Sequence, residues 1–229
     1  MLQADQILFE DNHLIILNKK PGQIVQGDKT GDTPLSEFLK QYLKEKYKKP
    51  GNVFVGVAHR LDRPVSGAMI FAKTSKALSR INEMLRDHSI HKTYWAICIN
   101  PPNETKGKLV HYLKKNEANN KSFAQDEEKE GYLKAVLNYT HLASSDKYHL
   151  LEVNLETGRH HQIRVQLAKV GCTIKGDLKY GAPRSNPDAS ISLHARKISF
   201  IHPVSKEKIT VTAPVPNDNL WNVFKQMKS

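Results

Sequence analysis

Cysteine is scarce in this chain: there are only two, Cys98 and Cys172, among 229 residues. They stand far apart, each in a segment that reads as a strand or helix end. Neither a disulfide framework nor a thiolate metal centre is supported, and both are expected as small buried fillers. Long apolar runs are also missing. No stretch of about eighteen apolar residues could cross a bilayer, and the start Met1-Leu2-Gln3-Ala4-Asp5-Gln6 lacks the basic-then-apolar order of a secretory signal. A cytoplasmic protein with no membrane partner is therefore expected. Acidic residues fall short of basic ones, 23 against 35, which leaves a formal charge of +12 and a pI near 9.6. Such a balance favours a polyanion through phosphate neutralisation and counterion release. Charge alone does not decide the matter, because a run such as Lys44-Glu45-Lys46-Tyr47-Lys48-Lys49 is also what a solvated helix face looks like. What remains is ordinary globular composition, 39% hydrophobic and 25% charged, read as one folded domain over residues 1–229.

The pattern along the chain is strand-rich α+β without regular βαβ alternation. Leu14-Ile15-Ile16-Leu17 reads as a strand ending in the turn Lys19-Lys20-Pro21-Gly22. Thr33 and Pro34 predict the N-cap and first turn of a helix carrying Leu35, Phe38, Leu39, Tyr42 and Leu43 on one face. Ala68-Met69-Ile70-Phe71-Ala72 reads as a buried strand, Ala77 to Leu85 as an amphipathic helix, and Tyr94 to Ile99 as another strand. From Lys106 to Glu156 the signal is mostly β, interrupted over 116–131 by a hairpin excursion or mobile loop. Leu151 to Glu156 alternates as a half-buried antiparallel strand should. A helix starting at Thr157-Gly158 carries Ile163, Leu167 and Val170 and stops at Gly171; strands around 191–200 and 209–213 follow.

Two motif matches fail on inspection. Gly22-Gln23-Ile24-Val25-Gln26-Gly27-Asp28-Lys29-Thr30 nearly spells a phosphate loop, but Asp28 stands where lysine should follow the second glycine. His59-Arg60-Leu61-Asp62 resembles a kinase catalytic loop, yet there Asp directly follows Arg, and no Asp-Phe-Gly accompanies it. The pair His160-His161, with His59 and His194, is no zinc pattern either, because ligands on a helix need spacing of about three or four residues to share a face. No metal site is expected. Around Asp62, Arg60 and Arg63 flank a carboxylate in a Pro- and Gly-bearing loop between apolar strands. Taken alone, these residues fit an ion-paired loop better than a catalyst.

The wider sequence changes the balance. His59-Arg60-Leu61-Asp62-Arg63-Pro64-Val65-Ser66-Gly67 is followed and preceded, in order, by further matching segments. These are Lys19-Lys20-Pro21-Gly22; Lys92-Thr93-Tyr94; Thr157-Gly158-Arg159-His160-His161-Gln162-Ile163-Arg164; and Gly176-Asp177 with Tyr180-Gly181. Leu193-His194-Ala195 and His202-Pro203 fit as well. Together they resemble the RluA family of RNA pseudouridine synthases over residues 7–213. The resemblance implies an α+β fold with a mixed, mainly antiparallel sheet flanked by helices, and an isomerase that moves ribose from N1 to C5 of uridine in tRNA and/or rRNA. It implies no cofactor, no nucleotide and a monomer.

By the same resemblance Asp62 is the catalytic carboxylate, acting on sugar or base or as a proton acceptor, three alternatives the sequence leaves open. Arg164 is expected to be buried and to pair with it, and Tyr94 to stack on the target base and take part in proton traffic. Arg60 is expected either to fill the stack vacated by the flipped base or to contact phosphate. Ile163 is expected to pack on uracil, Lys19 to support the pocket or the substrate phosphate, and His161 to lie on the substrate side. Two departures stand out: Val65 where threonine is usual, which removes a hydroxyl worth about 1 kcal/mol net, and His160 where threonine is commoner, which could add an RNA contact. With about ten residues ahead of the first strand, the N-terminal RNA-binding module of many relatives is expected to be absent. Recognition would then fall to the catalytic domain and the 116–131 segment, which favours a stem-loop. The rival readings are a non-catalytic RNA-binding protein and, more distantly, a hydrolase or base-excising glycosylase.

Overall fold

Apolar runs flanked by turn residues become strands along most of the chain, and the computed structural model describes residues 2–27 and 31–228. In chain order the elements are β1 (Ile7–Glu10), β2 (Leu14–Lys19), α1 (Leu35–Lys46), β3 (Gly56–Val57), β4 (Ser66–Ala72), α2 (Ser75–Arg86), β5 (His91–Cys98), β6 (Lys106–Asn116), β7 (Lys121–Gln125), β8 (Leu133–Ser144), β9 (His149–Leu155), α3 (Gln162–Lys169), β10 (Leu193–Ile201), β11 (Lys208–Thr212) and α4 (Asn219–Gln226). Two compact units form. One comprises Met1–His91 with Ala195–Pro214, the other Lys92–His194 with Val215–Ser229. The rejected phosphate-loop match ends in Asp28, Lys29 and Thr30, which lie outside the described residues.

In the first unit β2 pairs antiparallel with both β1 and β4, β3 with β4, and β11 with β10. Leu14, Ile16, Ala68 and Ile70 share a core with Ala77 and Ile81 of α2 and with Ile198 and Phe200 of β10. By the two-residue alternation of a strand, Ile15, Leu17, Met69 and Phe71 point the other way, and they are just as buried. A strand covered on both faces needs the unbroken apolar run that the sequence has here. Thr74 caps α2, its side chain accepting the N–H of Ala77 at 3.1 Å, a device worth about 1 kcal/mol. The entry to α1 differs from expectation. Pro34, not Thr33, occupies the cap position and makes no side-chain cap bond. The free N–H of Leu35 is taken instead by the carbonyl of Ile24 at 2.8 Å, so a loop contact replaces the expected side-chain cap.

In the second unit the strand order is β5-β9-β8-β6-β7, every pair antiparallel. The 116–131 segment resolves in favour of the hairpin: β7 returns along β6 from Asn116↔Lys121 to Tyr112↔Gln125. Helix α3 starts at Gln162, later than the expected Thr157. The hydroxyl of Thr157 is diverted to the sheet, accepting the N–H of Val136 and donating to Gln162 Oε1, both at 2.8 Å. Helix α4 was not foreseen, although Asp218 caps it through the N–H of Trp221 and Trp221 and Phe224 pack on Trp95, Ile97 and Leu150. Strand β1 was also missed, because its four residues are all half-buried and carry no clear alternation. Both cysteines are buried and free, as expected of fillers.

Gly67 shows how tightly the first unit is built. It sits at φ +116°, and a Cβ there would lie 2.4–2.7 Å from the Ala195 backbone. Gly67→Ala is expected to cost about 3 kcal/mol from backbone strain and overpacking combined. Urea unfolding should show this as a lower midpoint at unchanged slope.

Candidate active site

The strand register places the Asp62 loop. Lys19, the last residue of β2, pairs with Gly67 of β4, so its side chain emerges beneath the segment that enters β4. There the ammonium is completely buried. It donates to three backbone carbonyls, those of Lys20 at 3.2 Å, Arg63 at 3.0 Å and Val65 at 2.7 Å. The carbonyl of Arg63 also accepts the N–H of Gly22 at 2.9 Å, which ties the Lys-Pro-Gly turn to the Asp62 loop. Burial pulls the Lys19 pKa down to about 7, partly opposed by the charge of Asp62 and reinforced by that of Arg63. A second tether comes from His59, whose Nε2 accepts the N–H of Ile70 at 3.0 Å; the proton of the neutral ring is thereby assigned to Nδ1. Held at both ends, the loop closes in a tight turn from Asp62 to Val65, with Val65 N–H donating to the Asp62 carbonyl at 3.0 Å. Leu61, Val65 and Ser66 face inward, Asp62 is half-buried, and Arg60 and Arg63 are exposed. Arg63 pairs with Asp32 at 2.7 Å on the surface. Val65 contributes its backbone carbonyl to Lys19, a bond that does not depend on the missing threonine hydroxyl.

Lys19 is thus completely buried, with three backbone carbonyls around its ammonium. Three residues expected to serve catalysis or the base lie in the second unit and are nearly inaccessible: Tyr94 on β5, opposite Val153, and Ile163 and Arg164 at the start of α3. Arg164 grips the carboxylate of Asp177 in a bidentate pair, Nε to Oδ2 at 2.7 Å and Nη2 to Oδ1 at 2.8 Å. Its guanidinium also lies 5.1 Å from the centroid of the Tyr180 ring. The phenol oxygen of Tyr180 accepts the N–H of Ser122 at 2.8 Å and meets His161 Nδ1 at 2.9 Å. His161 is the cap residue of α3 in left-handed conformation, at φ +54°. Its ring does not diverge from that of His160, as neighbours on a helix would; the two stack with centroids 3.8 Å apart. His160 in turn bonds Ser122 on β7 through Nδ1 at 2.8 Å. Among the described residues no cluster of His, Cys, Asp and Glu could hold a metal ion.

Asp177 and Tyr180, motif residues to which the sequence assigns no role, are thus structural partners, and Ser122 joins them from the 116–131 hairpin. Asp177 could have been suspected, since a buried arginine calls for a carboxylate. Replacing Asp177 by Asn should cost about 1–3 kcal/mol of stability by removing the charge and one acceptor from the bidentate hydrogen bonds to Arg164, measurable by urea unfolding. Lys19 makes a pH signature. Between about 7 and the ordinary value of 10.5 the unfolded chain holds a proton that the folded chain releases, so folding stability gains as pH rises across that window and loses as pH falls through it. Relative to Lys19→Met, wild-type stability is therefore expected to climb from pH 7 to pH 10; a constant difference would refute the depressed pKa.

The family described as RNA pseudouridylate synthase matches residues 13–169. An uncharacterised RNA pseudouridine synthase of Synechocystis is 34% identical over 213 residues, covering 92% of this chain and 65% of its own length. The ribosomal large subunit pseudouridine synthase D of Zymomonas mobilis is 31% identical over 223 residues, covering 93% and 70%. The chain therefore spans about two thirds of the length of these relatives. Among solved structures, human RNA pseudouridylate synthase domain containing 4 superimposes with a TM-score of 0.79 at 23% identity, over 96% of this chain and 92% of that one, a likeness of fold. On these grounds the chain belongs to the RluA-type family of RNA pseudouridine synthases.

Proposed function

We propose that the protein isomerises specific uridines of structured RNA, in tRNA and/or rRNA, to pseudouridine, with Asp62 as the catalytic carboxylate. The observation that carries the reading is the immobilised loop: a buried ammonium, an imidazole and a glycine without room for a Cβ hold a segment whose half-buried carboxylate has exposed arginines on either side. Three separate constraints on a short surface loop are more than an ion pair needs, and they are what a positioned reactive group needs.

The reaction is an isomerisation. The N1–C1′ bond of uridine breaks, the base turns, a C5–C1′ bond forms, and the C5 proton leaves while N1 takes up a proton. No atom is gained and no electron lost, so the demand is for a nucleophile or base and an enclosed site, with no cofactor. Asp62 would supply the carboxylate. Tyr94 would stack on the base and handle the C5 proton, and Arg164, kept rigid by Asp177, would supply fixed positive charge. Arg60 would fill the stack left by the flipped nucleotide, Ile163 would pack on uracil, and His161 would shape the approach. The chain crosses between its two units at residues 91–92, 194–195 and 214–215, which supports treating both as parts of one catalytic domain. We take it to act as a cytoplasmic monomer; no helix among the described residues is long and apolar enough to cross a membrane. The name of the Zymomonas relative puts the RNA of the ribosomal large subunit first among those to be tried.

Purified protein, without metal or nucleotide, is expected to release tritium from RNA carrying 5-tritiated uridine. Asp62→Asn should reduce release by at least about a thousandfold while binding RNA as well as wild type. Full activity in that variant would refute the assignment. Binding without any release would favour a non-catalytic RNA-binding protein, and free uracil among the products would favour a glycosylase.

A further inference from the structure

A cavity of about 280 Å³ lies within the second unit, walled by Tyr148, Lys175, Gly176, Arg184 and Asn186. We propose that it is a nucleotide subsite, taking an RNA phosphate between Lys175 and Arg184 and an unpaired base on the face of Tyr148. This rests on the reading that RNA is the substrate, and it concerns a nucleotide other than the target uridine.

One wall of the cavity is built from buried residues, Gly176 and Asn186, while Tyr148 and Lys175 are half-buried. The Lys175 ammonium donates to Oδ1 of Asn186 and stands 5.8 Å from the centroid of the Tyr148 ring. Asn186 is itself about nine-tenths buried and held by the hydroxyls of Ser190, at 3.1 Å, and Ser192, at 3.3 Å. Gly176, at φ +86°, leaves room for it: a Cβ there would sit 2.8 Å from the Asn186 amide and from the Ser190 carbonyl. The lysine is therefore aimed, whereas a lysine on an open surface is not. One of its N–H groups is used by Asn186, which leaves donors for an anion. Arg184 is exposed at the rim, and among the described residues no carboxylate pairs with it. Asp188, whose charge also acts on Lys175, accepts the N–H and hydroxyl of Ser190 at 3.1 and 2.6 Å and forms no ion pair with the lysine among the described residues.

The chemistry of the walls selects the ligand. Two cations ask for an anion, and an arginine fork suits phosphate oxygens. An aromatic face beside them asks for a planar partner, and a base with its phosphate meets both demands, as in single-strand binding grooves. The volume lies below the roughly 300–1,000 Å³ of pockets for larger ligands. Tyr148 also borders a second hollow with Ser144, Ser145, Asp146 and Lys147, where the Lys147 charge offsets that of Asp146, so a strand could pass over the ring instead of ending there. The carbonyl of Lys175 accepts from Ser192 and its N–H donates to Ile97. This anchors the wall two residues before Asp177, the partner of Arg164.

The test is fluorescence anisotropy of the full chain with labelled octauridylate across a salt titration. Lys175→Ala and Arg184→Ala are each expected to weaken binding and to lower the slope of log affinity against log salt by about one. Tyr148→Leu is expected to weaken it roughly tenfold at unchanged slope. Because Arg184 is exposed, its removal leaves folding intact. Wild-type affinity in all three variants overturns the subsite, as does full affinity in Tyr148→Leu alone, which would mean unspecific charge attraction. Uridine monophosphate bound by wild type and lost in the variants, with octauridylate binding unchanged, would assign the cavity to a free nucleotide and overturn the RNA proposal. The tritium assay separates this inference from the function it rests on. A wild-type protein that releases no tritium while Tyr148→Leu still weakens octauridylate binding would refute catalysis and leave the subsite standing.

Discussion

The Lys19 ammonium is buried completely, and a charge removed from water costs several kcal/mol unless polar groups surround it. Its acceptors are backbone carbonyls of Lys20, Arg63 and Val65. Any movement of the Asp62 loop away from β2 would leave the buried amine without its acceptors, so the burial of Lys19 is coupled to the position of the loop. The register of β2 against β4 puts Lys19 opposite Gly67, and that places the ammonium under the turn. Two motifs far apart in the chain, Lys-Pro-Gly and the Asp62 segment, are thus one structural device.

The same economy operates in the second unit with the signs arranged differently. Arg164 and Asp177 are both buried and paired through two hydrogen bonds, which fixes the guanidinium in plane and direction. Tyr180 takes the face of Arg164 with its ring, and its hydroxyl binds the hairpin through Ser122 and the turn before α3 through His161. Lys179 adds bonds to the carbonyls of Asn119 and Asn120 at the hairpin turn. A segment whose polar composition suggests mobility is therefore latched, because its backbone groups find partners on the 178–180 turn.

Much of the fold was legible where local pattern and burial agree. The run at Leu14 to Leu17, the amphipathic helix at Ala77 to Leu85 and the alternation of β9 all formed as their periodicity indicates. Where a tertiary partner outbids a local cap, the pattern misleads. Leu35 found the Ile24 carbonyl and freed Thr33 from capping, and Thr157 found Val136 and so delayed α3. Helix α4 carries a local signal of its own in the Asp218 cap and the spacing of Leu220, Trp221 and Phe224, but it is only eight residues long and depends on packing against β5 and β9. Of the proposed site, the candidates Asp62, Tyr94, Arg164, Arg60, Ile163, Lys19 and His161 follow from ordered motifs, while the bidentate pairing of Asp177 with Arg164 and the contacts of Tyr180 are visible only in the tertiary structure.

By itself the sequence determined the family, because motif residues in a set order need no three-dimensional information to be recognised. It also determined the basic charge and the absence of any long apolar run. Tertiary structure alone decided what each motif residue does for its neighbours. Lys19 reaches a carbonyl 46 residues away and Arg164 a carboxylate 13 residues away, and such pairings depend on strand register and loop closure, which no local pattern encodes. It likewise decided that Gly67 must be glycine, since the backbone pressing on it belongs to Ala195, a neighbour only after folding.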